Sequence, residues 1–256
     1  MSDWLLLIDT DGADRDALIA DLWEAGTTGI TEEDTCVRAF FDGAADRTSI
    51  LHRLAAWSPV LQEVEPHDWV QHSQSMWRPL EVGARFWLVP EWSEDGTPGN
   101  RIRLTMRAGM ASGSGLHPAT RLALMALERV VQPGSAVLDV GTGSGILADA
   151  ARLLGARFIA ACDIDHEASV EARANVPEAA IFTGSLRSVR SGGFDVVVAN
   201  INVPTITTLA SELARIAAPA VVVTGFREEE IASAAKTLPR TVKETLELEG
   251  WACLIC

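Results

Sequence analysis

No run of about 18 apolar residues occurs in this 256-residue sequence, so no membrane-spanning helix is expected. Basic residues are scarce. Lys and Arg number 21 against 35 Asp and Glu, a net charge of −14, with an isoelectric point near 4.7. Such a surface repels phosphate, which argues against direct binding of exposed RNA or DNA and favours a basic partner. There are four cysteines, Cys36, Cys162, Cys253 and Cys256. The last two form a C-x-x-C, but it has neither a second ligand pair nor a strand-to-helix setting. Zinc and dithiol chemistry are therefore set aside, and the pair reads as part of an apolar terminal strand. The start, Met1-Ser-Asp-Trp4, has no basic stretch before an apolar core, so no secretory leader is expected. Reduced thiols and a cytoplasmic setting follow. No internal repeat or low-complexity tract is present.

What is present is a globular composition, 48% apolar and 22% charged, at a length that suits one large domain or two modest ones. Trp4–Ile8 reads as a strand. Asp14–Trp23 has helical spacing, with Ala17, Leu18 and Leu22 apolar and Gly26 and Gly29 closing it. Cys36–Phe41 reads as a strand, Arg47–Trp57 as a helix and Val60–Val64 as a strand. That outline predicts a small split βαβ unit of ferredoxin type over residues 1–65. Residues 66–80, with Pro66 and Pro79, read as a linker whose Trp69 and Trp77 anchor it to a domain. Short strands follow at Phe86–Val89 and Ile102–Met106.

From residue 119 the pattern changes. A helix over Ala119–Val130 ends at Gln132-Pro133-Gly134, and continuous apolar strands then alternate with helices. This predicts an α/β doubly wound sheet of buried parallel strands. The end departs from that pattern. Val242–Leu248 and Trp251–Cys256 are strands joined by Glu249-Gly250 with no helix between them, which is unusual in dinucleotide dehydrogenases.

Val137-Leu-Asp-Val-Gly-Thr-Gly-Ser-Gly145 reads as strand, glycine turn and helix start. Glycines let the backbone approach a ligand, and the helix start offers free N–H groups. A dinucleotide loop G-x-G-x-x-G would need glycine at 146, which is Ile146. The G-x-G-x-G found here leaves an amino-acid and ribose ligand as the better fit. Asp163 ends the next strand, where a carboxylate can accept ribose hydroxyls. Asp165 reads as the N-cap of the following helix. Asn200 ends the fourth strand of the sheet, at the carboxyl edge where open α/β sheets bind ligands. Its amide offers both donor and acceptor. Upstream, Gly109–Thr120 is a second glycine-rich loop leading into a helix. Thr120 adds a hydroxyl there, and His117 reads as structural rather than as a base.

Together these segments resemble the PrmA family, the methyltransferases of protein eleven of the large ribosomal subunit. The resemblance covers nearly the whole chain. It rests on Trp77-Arg-Pro-Leu-Glu-Val-Gly83, Val89-Pro-Glu-Trp92, the loops Gly109–Thr120 and Leu138–Gly145, Cys162-Asp-Ile-Asp165, Gly184-Ser-Leu186 and Val198-Ala-Asn200. The terminal hairpin is also the usual ending of class I methyltransferases. The resemblance implies a class I, Rossmann-like, seven-stranded methyltransferase domain over 81–256, behind a ferredoxin-like recognition domain and a flexible linker. It implies S-adenosyl-L-methionine as cofactor, held at Thr120, Gly141, Asp163 and Asn200; the glycine loop itself adds Gly143, Asn200 is also expected to orient the acceptor, and no metal is expected. The expected reaction is methylation of lysine or N-terminal amines of a large-subunit ribosomal protein by a cytoplasmic monomer. An Asn-Pro-Pro-aromatic motif is missing, which argues against glutamine or adenine as acceptor. Three positions depart from the family pattern. Ser112 replaces an aromatic residue, Ala119 replaces a threonine, and Asn202 replaces an aliphatic residue. They leave another protein lysine or a small molecule open as acceptor, and beside these a non-catalytic cofactor-binding module.

Overall fold

A computed structural model describes residues 4–10, 15–32, 35–63, 78–107, 115–216 and 218–256. The chain divides into two compact units, Met1–Trp77 and Arg78–Cys256. Trp69, Trp77 and Ser112 lie outside the described residues.

The first unit contains β1 (Trp4–Asp9), α1 (Arg15–Glu24), β2 (Gly29–Glu32), β3 (Cys36–Phe41), α2 (Arg47–Arg53) and β4 (Val60–Glu63). The strands form an antiparallel sheet in the order β2-β3-β1-β4. Side chains alternate across a strand. Trp4, Leu6 and Ile8 of β1 and Val37, Ala39 and Phe41 of β3 therefore share one face. They pack there with Leu18 and Leu22 of α1 and with Ile50 and Leu54. Trp4 stacks on Phe41 with ring centroids 4.6 Å apart, and its Nε1–H donates to the Asp42 carbonyl at 3.1 Å. Asp46 caps α2 by accepting from the Thr48 and Ser49 amides. Gly29 does not close α1; it opens β2 opposite Phe40. Gly26, with φ +85°, stands just past the last helical turn. A four-residue strand is too short for its alternation to be read from sequence.

The second unit opens with β5 (Leu80–Val82), β6 (Phe86–Pro90) and β7 (Ile102–Met106), a sheet of its own. Then come α3 (Pro118–Val130), β8 (Ala136–Val140), α4 (Ile146–Leu153), β9 (Phe158–Asp163), α5 (His166–Asn175) and β10 (Ala180–Thr183). The unit finishes with β11 (Val196–Asn200), α6 (Val203–Ile216), β12 (Ala220–Arg227), α7 (Ile231–Thr237), β13 (Glu244–Leu248) and β14 (Trp251–Ile255). Strands β8 to β14 form a mixed sheet in the order β10-β9-β8-β11-β12-β14-β13. All neighbours are parallel except β14, which runs antiparallel to both β12 and β13. The central strands are buried on both faces: all five residues of β8 are buried, as are the first four of β11. That is why they read as unbroken apolar runs.

The small sheet is tied to α3 by one side chain. The Glu128 carboxylate accepts the backbone N–H groups of Ala84, Arg85 and Phe86 at 2.8, 2.8 and 3.1 Å. Glycine at 83, with φ +58°, makes room for it, since a Cβ there would stand 2.4 Å from Glu128 Oε2. Arg101 closes the same turn, donating to the carbonyls of Gly83 and Phe86 and to Glu81. Among the described residues no helix is long and apolar enough to cross a membrane. All four cysteines are free thiols, and Cys253 and Cys256 are buried. No group of three His, Cys, Asp or Glu among the described residues is placed to hold a metal.

Candidate active site

Strand order reverses between β8 and β11. From β8 the chain runs outward through β9 to β10, then returns to lay β11 and β12 on the other side. Crevices open at the carboxyl ends of strands at such a switch point. A cavity of about 500 Å³ lies there, lined in part by Thr120, Gly141, Gly143, Asp163 and Asn200. The five residues picked out by sequence therefore meet around one space.

The glycine loop has a specific shape. Gly141 and Thr142 both donate their N–H to the Cys162 carbonyl, at 2.9 and 3.1 Å. This folds the loop back over the end of β9. Gly141 has φ +70°, and a Cβ on it would lie 2.8 Å from Ile201 Cγ2. Gly145, with φ +86°, caps α4, and a Cβ there would meet the Ala172 backbone at 3.3 Å. The first glycine admits the approach of Ile201 and the last admits α5. Asn175 Nδ2 donates to the Ser144 carbonyl at 2.8 Å, a further tie from α5.

Asp163 braces this loop from the side. Its Oδ2 accepts the Gly143 N–H at 2.9 Å and its Oδ1 accepts the Asp165 N–H at 3.1 Å. Each carboxylate oxygen can accept a second bond. Asp165 is the helix cap, with Oδ1 2.9 Å from the Glu167 amide. The two neighbouring aspartates thus divide the work: one caps α5 and the other faces the cavity.

Asn200 ends β11. Its Nδ2 donates to Thr120 Oγ1 at 3.1 Å, and Thr120 is only 2% exposed. Among the described residues its Oδ1 has no donor. Thr120 is held in the first turn of α3, whose N-cap is His117: the ring Nδ1 accepts the Ala119 N–H at 3.2 Å. That ring also packs against Trp251 at 77°, with centroids 4.4 Å apart. His117 is accordingly a structural residue. Asn202 caps α6, accepting from Thr205 N and Thr205 Oγ1 at 3.0 and 2.7 Å. Its departure from the family's aliphatic residue is explained as a helix start. Ala119 is buried against the carboxyl edge, and its carbonyl accepts weakly from Thr224 Oγ1 at 3.5 Å.

Several further residues line or support the space beyond those expected to bind the cofactor. Ile164, 82% exposed, stands at the cavity lip. Leu186 and Arg187 also line the cavity. Below the loop Asp139 is fully buried and accepts from Thr142 Oγ1 at 2.6 Å. Burial, aided by the nearby Asp163 charge, raises its pKa to about 7 against the Thr142 and Ala148 hydrogen bonds. A lone acid inside an apolar strand was the available signal. Cys162 lines the cavity floor as a neutral thiol, because burial pushes its pKa up to about 12.

A family model described as ribosomal protein L11 methyltransferase (PrmA) matches residues 9–256. The ribosomal protein L11 methyltransferase of Burkholderia multivorans is 38% identical over 200 residues, covering 76% of this chain and 66% of that protein. That of Paraburkholderia xenovorans is 38% identical over 206 residues, covering 78% and 68%. The matched part thus spans just under two thirds, 66%, of the length of the first curated relatives. A solved structure, the ribosomal protein L11 methylase of Lactobacillus delbrueckii subsp. bulgaricus, superposes with a TM-score of 0.64 at 27% identity, covering 70% of this chain and 97% of that one. This chain, whose glycine loop, Asp163, Thr120 and Asn200 meet at one switch point, belongs to the PrmA family of ribosomal protein L11 methyltransferases.

Proposed function

We propose that this chain binds S-adenosyl-L-methionine in the switch-point cavity and methylates amino groups of a large-subunit ribosomal protein, the L11 of its relatives' names. The observation that carries this is the meeting of Thr120, Gly141, Gly143, Asp163 and Asn200 around a single space. At about 500 Å³, the cavity falls within the ~300–1,000 Å³ of sites that enclose small ligands. A loop with no glycine after Gly145 suits a nucleoside without a diphosphate. The Asp163 carboxylate would take the ribose hydroxyls, and the Gly141–Gly145 backbone and Thr120 would take the amino-acid end. When bound, that group supplies a methyl already activated on a sulfonium.

What remains for the protein is the acceptor. A lysine amine with pKa ~10.4 is neutral in only about one molecule in 2,500 at pH 7, a cost of roughly 4–5 kcal/mol. Desolvation at the cavity mouth favours the neutral amine. The Asn200 Oδ1, which has no donor among the described residues, would accept an amine N–H and aim the nitrogen lone pair. The proton released on transfer passes to solvent, and no side chain is needed as general base. Positioning then supplies most of the rate.

The finer architecture belongs to the same reading. We take residues 1–65 as a ferredoxin-like recognition domain, 66–80 as a linker and 81–256 as a class I catalytic domain with seven strands. The β2-β3-β1-β4 order supports the first assignment. Residues 1–77 hold 15 of the 35 acidic residues but only 4 of the 21 basic ones, which suits a basic protein partner. We place the enzyme in the cytoplasm as a monomer, with no direct contact to nucleic acid or membrane. Two measurements test this. Calorimetry should give micromolar binding of S-adenosylhomocysteine and none of NAD. Mass spectrometry of purified L11, incubated with cofactor and enzyme, should show added methyl masses. An unmodified L11 beside intact cofactor binding would refute the substrate.

A further inference from the structure

The carboxyl edge of the main sheet has two halves. The cavity takes up the half at β8, β9, β10 and β11, and among the described residues nothing from β12, β13 or β14 lines it. The other half of that edge lies beside Asn200, on the strands next to β11. Three side chains stand there in a row. Arg227 ends β12 and pairs in register with Trp251, which starts β14. The Arg227 guanidinium sits over the Trp251 ring, 4.5 Å from its centroid. The His117 ring meets the same indole at 77°, with centroids 4.4 Å apart. The row is joined to the site by short links. Thr224 lies opposite Asn200 in register, and its hydroxyl donates to the Ala252 carbonyl, next to Trp251, at 2.8 Å. His117 lies three residues before Thr120, the partner of Asn200.

We propose that the Trp251 indole is a landing surface for the protonated amine of the acceptor, which takes the place of Arg227 over the ring. This rests on the amine-methylating reading above. The indole face is already shown to hold a cation. An aromatic face attracts ammonium and guanidinium alike within about 6 Å. Arg227 is exposed, and among the described residues no carboxylate pairs with its guanidinium, so its displacement breaks no salt bridge. The ring itself is fixed, by His117 and by a hairpin tied to α3 through the Arg121–Glu249 ion pair. A landing surface made of π density also suits an acceptor that is methylated repeatedly. Each methyl removes an N–H donor from a lysine ammonium but leaves its charge. A carbonyl cage weakens with every methyl, whereas a ring face does not.

The test uses the full chain. The Trp251 indole N–H resonance, assigned by its loss in Trp251→Phe, is followed by NMR as Nα-acetyl-Nε-trimethyl-lysine amide is added. A saturating shift is expected in the wild-type chain, at lower ligand concentration in Arg227→Met, where the face is open. No shift in either chain overturns the landing surface, whether or not L11 is methylated. A clear shift beside an unmethylated L11 refutes the substrate reading alone. With L11 as acceptor, Trp251→Leu should raise KM about two- to fivefold while S-adenosylhomocysteine binds as before. Trp251→Phe should fall between and Arg227→Met should lower KM. A raised KM in Arg227→Met would make Arg227 itself the contact and would also overturn the proposal.

Discussion

The side-chain amide of Asn200 donates to the hydroxyl of Thr120 at 3.1 Å, across 80 residues of sequence. This bond joins the end of β11 to the first turn of α3. It uses the Nδ2 end of the amide of a residue that lines the cavity. Replacing Thr120 by Val keeps the shape and removes the acceptor. Asn200 should then lose its fixed orientation, and kcat should fall about tenfold or more, because small misplacements near the reacting atoms are costly. Asn200→Ala should cost about 100-fold. If the two act as one unit, the double variant should be no worse than Asn200→Ala, with a coupling of roughly 0.5–3 kcal/mol in kcat/KM. Strict additivity would mean the bond has no part in catalysis.

Asp163 accepts from the glycine loop through the same carboxylate that faces the cavity. Asp163→Asn keeps the size but trades one acceptor oxygen for a donor that opposes the Gly143 N–H or the Asp165 N–H. Hydrogen bonds to a charged group are worth about 1.5–3 kcal/mol each. Binding of S-adenosylhomocysteine should therefore weaken by roughly 10- to 150-fold. Calorimetry of the variant checks this, and a wild-type affinity would free Asp163 from any ligand role.

How much of this could be read beforehand depends on the kind of signal. The parallel strands were legible because burial on both faces leaves continuous apolar runs such as Val196–Ala199. The role of Asp165 was legible because capping is local. Strand β2 was not, since four residues carry no usable period and Gly29 looks like a stop. The Glu128 clamp was hidden for another reason. It joins turn and helix more than forty positions apart, and no local rule tells a helix-surface glutamate which loop it will meet. Thr120 and Asn200 were named separately, but their direct bond belongs to the fold.

Glu128 offers a test of what holds the small sheet to the helix. Three backbone N–H groups end on its carboxylate. Glu128→Ala leaves all three to water or to nothing, and should cost about 1–3 kcal/mol. Gly83→Ala attacks the same contact from the other side, through a Cβ placed against the carboxylate and an unfavourable φ of +58°. Both should lower the urea midpoint without changing the slope. In the double variant the losses should not add, because each removes the same contact.

Asp139 gives the fold a pH dependence whose sign can be worked out. Its pKa is raised by burial from 3.8 to about 7. A carboxyl that prefers its proton when folded contributes stability fully present below the unfolded value of 3.8. That stability is lost as pH rises toward about 7. The linked free energy is on the order of 4 kcal/mol across the window. Asp139→Asn carries no titrating proton, although its amide changes the donors offered to Thr142. The variant should therefore gain on the wild type by several kcal/mol between pH 4 and pH 7 and stay level above that. Urea unfolding of both chains at pH 5, 6, 7 and 8 gives the difference directly. Parallel stability curves would mean that the Asp139 carboxyl is already ionised in the fold throughout this range, with its charge balanced by the loop it supports.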